Sequence, residues 1–289
     1  MKIVVNHLTR MQQGYICVAG VDIQTYQHVR PVLAGTRLGT NLLARNGGAF
    51  DMAVVVDLGK LTPNPQRPEV EDYIFSPSSL RRIRTFPEEK FWELLIRIAK
   101  RKLLEIFGSD LEMKGTKSCA VDVGKGEASL GCLIPDSLPN LYILPREGKV
   151  SQIRIEVTDG CFDLDLGVAD IRLYCDDHLT PNEGVVKKVA ELVKKEENVM
   201  ISVGLTRRFS SLPDSCKTDT GKPPFKASEG GCFENLRVSE DITPSEFQQG
   251  KGTRVPIRPK VRLEASPNGL PMSVSSKVYA TLRYTVSNP

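Results

Sequence analysis

Two histidines, a tyrosine and a set of arginines near the start of the chain are the residues whose types and spacing suggest chemistry. Tyr26, His28 and Arg30 occupy alternate positions in Thr25-Tyr26-Gln27-His28-Val29-Arg30-Pro31-Val32, so on a β-strand all three side chains leave one face. Arg10 closes the phrase Leu8-Thr9-Arg10, which recurs as Leu205-Thr206-Arg207 and is followed there by Arg208. Guanidinium groups suit phosphates, and aromatic rings stack on bases. The candidate nucleic-acid contacts are therefore Arg10, Tyr26, His28, Arg30, Arg207 and Arg208, with His7 close by, two residues before Thr9.

The same neighbourhood admits other readings. His7, Asp22 and His28 are the general acid and base candidates of a nucleotide- or nucleic-acid-processing enzyme, because imidazole titrates near neutrality. No nucleophile and no metal-ligand set accompanies them, so no catalytic residue is assigned and binding is favoured over turnover. A third reading is a non-enzymatic adaptor that meets a protein partner through Arg97, Lys100, Arg101 and Lys102. That basic stretch also reads as a nucleic-acid contact; its plain alternative, which is favoured, is a solvated helix face, and the plain alternative for Arg10 is a pair with Asp22 that braces a strand turn.

The elements that must position these residues are mostly strands. Residues 1–80 read as a first small β-barrel, from Val4-Val5 through Tyr15–Val21 and Thr25–Val32 to Ala53–Leu58; Pro63, Pro65 and Pro68 mark a loop. Residues 81–114 carry a connecting helix, begun near Pro87 with Glu88 and Glu89 in its first turn and closed at Gly108. Residues 115–208 return to alternating strands as a second barrel, interrupted by a helix over 182–197 whose buried stripe is Val185, Val186, Val189, Leu192 and Val193. Gly124-Lys125-Gly126 lacks the spacing of a P-loop and reads as a turn. Asp163 and Asp165 alternate with apolar residues and read as a solvent-facing strand face. Residues 209–289 form a divergent Pro/Ser-rich segment in which Arg254–Leu263 and Val274–Val286 are candidate paired strands. The fold class is mainly β with inserted helices (α+β).

Composition narrows the function classes without choosing one. A net charge of +4 and a pI near 8.6 are compatible with a polyanionic partner and too mild to require it. Seven cysteines without a close pair match neither a zinc motif nor a disulfide framework; buried, reduced thiols are expected, and no cofactor is. No apolar run reaches the roughly 18 residues that span a bilayer. A cytoplasmic protein with no membrane partner is expected.

Several separated phrases together resemble the prokaryotic dual OB-containing domain family over roughly residues 1–208. They are the strand with Leu8-Thr9-Arg10, Tyr15-Ile16-Cys17-Val18-Ala19-Gly20-Val21-Asp22, His28-Val29-Arg30-Pro31-Val32, the Phe91-Trp92 helix ending in Ile106-Phe107-Gly108, Gly126-Glu127-Ala128-Ser129-Leu130-Gly131, Asp170-Ile171-Arg172-Leu173-Tyr174 and Val203-Gly204-Leu205-Thr206-Arg207. The resemblance implies two oligonucleotide/oligosaccharide-binding barrels, DNA or RNA as partner, and an association with bacterial conflict or anti-phage loci.

Overall fold

β-Branched runs build the first half. In the computed structural model, which describes residues 1–195, 199–206 and 275–283, its strands are β1 (Lys2–Arg10), β2 (Tyr15–Asp22), β3 (His28–Val32), β4 (Leu38–Gly39), β5 (Val54–Asp57), β6 (Thr62–Pro63), β7 (Asp72–Ile74) and β8 (Arg81–Thr85). They form one sheet in the order β6-β7-β3-β2-β1-β5-β8, with β4 also on β2. At the free edge β8 offers Arg81, Arg82 and Arg84, charges that discourage pairing with another chain.

β1 is central and buried on both faces. One face joins Ile3, Val5 and Leu8 to Ile16, Val18, Phe50 and Val56. The other places Val4 with Val21, Val55, Phe91, Leu94, Leu95, Cys132 and Met200. A strand with period two cannot put Ile3, Val5 and Leu8 on one side without an extra residue. The extra residue is Asn6: the β1–β2 register slips between Val5 and His7.

The connecting segment is two helices where the sequence reads as one. α1 (Glu88–Ile98) ends at Ala99, which is extended, and a short α2 (Leu104–Phe107) follows. The reason is a competing partner. Lys100 N–H donates to the Cys132 carbonyl (2.8 Å) and Ile134 N–H donates to the Lys100 carbonyl (2.9 Å), a strand-like bridge that a helix would forbid. The start of the stretch also differs from the expectation, since residues 81–85 belong to β8.

The second half holds β9 (Glu112–Met113), β10 (Cys119–Asp122), β11 (Leu130–Leu133), β12 (Asn140–Leu144), β13 (Gln152–Thr158), β14 (Asp163–Gly167), α3 (Glu183–Lys195), β15 (Met200–Leu205) and β16 (Ser275–Arg283). β12-β13-β14 is a meander, and β11-β15-β16-β10-β9 is a five-stranded sheet. Asn182 starts α3 by accepting the Val185 N–H on its side chain (3.2 Å), and Val186, Val189 and Val193 are its buried stripe. Asp165 is held by Arg154 (3.0 Å) and the Tyr142 hydroxyl (3.1 Å), the strand-face role expected of it.

β16 lies within 274–286, a stretch that the sequence offers as a strand. It comes from the C-terminal segment and lies between β15 and β10, filling the middle of the second sheet. The stretch 254–263, expected as its partner, lies outside the described residues. The fold is mainly β with inserted helices, as expected, in several sheets none of which closes into a barrel by its ladders among the described residues.

Candidate nucleic-acid cleft and the buried cluster behind it

The turn after β2 sets one wall of a cleft. Asp22 accepts the Gln24 N–H (3.0 Å) and the Thr25 hydroxyl (3.1 Å), a tight Asx-type turn that carries the chain back to β3. Tyr26 sits in that turn with φ 62°, so it does not share a strand with His28 and Arg30; β3 begins only at His28. Tyr26 and His28 nevertheless reach the same space, an open cleft of about 550 Å³ also lined by Tyr73, Arg97, Lys100 and Glu71. The Arg97 guanidinium lies 3.6 Å over the Tyr26 ring. Glu71 contributes little free acceptor capacity: its carboxylate takes the Ser129 N–H (2.8 Å), the Leu130 N–H (3.1 Å) and the Ser129 hydroxyl (2.9 Å).

Behind His28 the Asn6 bulge brings the two halves together. Asn6 is fully buried, with its Nδ2 3.3 Å from His28 Nε2 and donating to Cys132 Sγ at 3.5 Å. The Ser202 hydroxyl on β15 donates to the Asn6 carbonyl (3.3 Å) and lies 3.8 Å from Cys132 Sγ. The His7 and His28 rings meet edge to face, 5.5 Å between centroids. One ligating atom from each of His7, His28 and Cys132 falls within 4.8 Å of the others. Burial lowers the His28 pKa to about 4, so its ring is neutral at physiological pH.

The arginines of the sequence reading go elsewhere. Arg30 is buried, and its Nε donates to Asp72 on the neighbouring β7 at 2.6 Å, so its charge braces the sheet. Arg10 lies at the far end of β1, opposite Ile16, whereas Asp22 is opposite Ile3. The two therefore cannot form the bracing pair. Arg10 instead stacks over Tyr174 at 4.1 Å and donates to the His178 carbonyl at 3.3 Å. Arg207 and Arg208 lie outside the described residues. The acid/base set is likewise divided, because His7 and His28 meet while Asp22 is engaged in its turn.

Gly126, from the Gly-Lys-Gly phrase, donates its N–H to Asp110 (2.9 Å) and its carbonyl accepts from Arg67 (3.1 Å), so this backbone serves the fold. Reading the sequence missed Asn6, Cys132, Ser202 and Tyr73, and weighed Arg97 and Lys100 as a nucleic-acid contact while favouring a solvated face. The one signal for the buried group was a polar Asn6-His7 pair inside an apolar run.

Against known proteins, the model of the dual OB-containing domain matches residues 1–210. The chain belongs to that family. No curated protein and no solved structure matches it. The match ends before β16, so the strand that fills the second sheet comes from outside the matched residues. No described helix is long and apolar enough to cross a membrane.

Proposed function

We propose that this dual OB-containing protein binds single-stranded nucleic acid through the cleft between the β2–β3 turn and α1. The observation that carries the reading is the Arg97 guanidinium stacked on Tyr26 at the rim of a space that His28, Tyr73 and Lys100 also line. Single strands are held by cations that follow the backbone and by rings that stack on bases, and this cleft offers both within one small volume. Its volume lies inside the ~300–1,000 Å³ range of small-ligand sites, room for a base and its sugar-phosphate rather than a duplex. Cytoplasmic action belongs to this reading as an expectation from the sequence, and a part in bacterial defence through the family resemblance; phage plating with and without the gene tests the defence role.

The deciding experiment is fluorescence anisotropy with labelled single-stranded DNA, single-stranded RNA and duplex at about 50 and 200 mM salt. Saturable binding to one single-stranded type, weakened by salt and by Arg97→Ala, is the expected result. For single strands each lost phosphate contact flattens the logarithmic salt slope by about 0.7, so Arg97→Ala should flatten it by that amount. Absence of saturable binding at the lower salt would sink the proposal.

A further inference from the structure

We propose that His7, His28 and Cys132 form a binding site for a borderline-soft divalent metal ion of the zinc type, built across the seam between the two halves of the chain. The donor set decides the class. Two imidazoles and a thiol suit zinc, whereas magnesium and calcium demand oxygen ligands, and no carboxylate belongs to this cluster. The ligands come from three strands, β1, β3 and β11, and each is placed by backbone structure already described.

The geometry is near what an ion requires. In tetrahedral zinc sites, neighbouring N and S ligands stand roughly 3.3–3.6 Å apart, given metal bonds of ~2.0–2.3 Å. The donor atoms here lie within 4.8 Å of one another, so closing on an ion takes side-chain rotations of about 1 Å rather than a change of fold. The Asn6 carboxamide already bridges two of them, at 3.3 Å from His28 Nε2 and 3.5 Å from Cys132 Sγ. An N–H directed at sulfur stabilises a thiolate, which is the form that binds metal. Binding replaces the S–H bond with an S–metal bond and releases that proton to solvent.

Neutral imidazole is the ligating form. Three protein ligands leave a fourth position for water. His28 also lines the cleft, which supplies the route of entry. The inference stands on the cluster alone and does not depend on nucleic acid being the ligand of the cleft.

The test uses the full chain, stripped with a chelator and titrated with Co²⁺ as a spectroscopic substitute for Zn²⁺. The expected result is one Co²⁺ per chain with a thiolate-to-cobalt absorption band, the band lost in Cys132→Ser and the affinity reduced at least tenfold in His28→Gln. A band that survives Cys132→Ser places the metal on another thiol, such as the exposed Cys161, and overturns the proposal. Because Cys132 is buried, a second measurement covers the case in which its variant does not fold. In the unaltered protein, Zn²⁺ must slow alkylation of Cys132, read peptide by peptide, at least tenfold. Alkylation unaffected by Zn²⁺ overturns the proposal whatever the variant does. Anisotropy repeated with chelator present separates this failure from a failure of nucleic-acid binding.

Discussion

Asn6 donates a hydrogen bond to Cys132 Sγ at 3.5 Å, across 126 positions of sequence and from one half of the fold to the other. The contact exists because β1 carries one residue too many for its partner strand. The bulge keeps Leu8 in the core of the first half while turning Asn6 toward the second.

Asn6→Ala should lower stability by about 1–2 kcal/mol, the cost of leaving buried partners without their hydrogen bonds. Urea denaturation of the variant would read this as a lower midpoint with an unchanged slope. A midpoint equal to that of the unaltered protein would mean the bulge holds without the carboxamide.

Arg30→Ala should cost about 3–5 kcal/mol, since it removes one partner of a buried ion pair with Asp72. Arg97, exposed on α1, should change stability by less than about 1 kcal/mol when replaced by alanine, while weakening binding. Thermal melts and anisotropy on both variants check this division. The opposite pattern would return Arg30 to the binding surface.

Tyr26→Phe should keep nucleic-acid affinity and Tyr26→Ala should reduce it by ~5- to 150-fold, the equivalent of ~1–3 kcal/mol of base stacking. Equal loss in both variants would point to the hydroxyl rather than the ring.

The Asp177 carboxyl, which receives the Thr180 hydroxyl (2.5 Å) and the N–H groups of Leu179 and Thr180, has its pKa lowered to about 2. A depressed folded pKa means this turn adds stability above the ordinary aspartate value near 3.8 and loses it as pH falls from there toward 2. An NMR titration should find the midpoint near 2, and Thr180→Ala should move it up toward 3.8. An ordinary midpoint in the unaltered protein would show that the turn does not persist in solution.

A chain cut after residue 210, where the family match ends, should fail to form a stable second sheet. It would expose the edges of β15 and β10 that β16 occupies, and such open edges pair between chains. Size-exclusion chromatography should show aggregates. A monodisperse fragment that unfolds cooperatively would mean β16 is dispensable.

Local pattern alone determined much of the frame. β-Branched alternation marked most strands, valine spacing marked α3, and the separated phrases marked the family, because these signals are written in neighbouring residues. Tertiary structure decided the rest. Arg30 reads as a free cation until Asp72, 42 positions away, takes it, and the helix after Pro87 reads as continuous until Lys100 pairs with β11. His7, His28 and Cys132 carry no motif because their spacing in the chain has no bearing on their distance in space. A bulge, a turn and a crossing strand bring them together, and hydrogen-bond partners that distant leave no periodicity for a sequence to display.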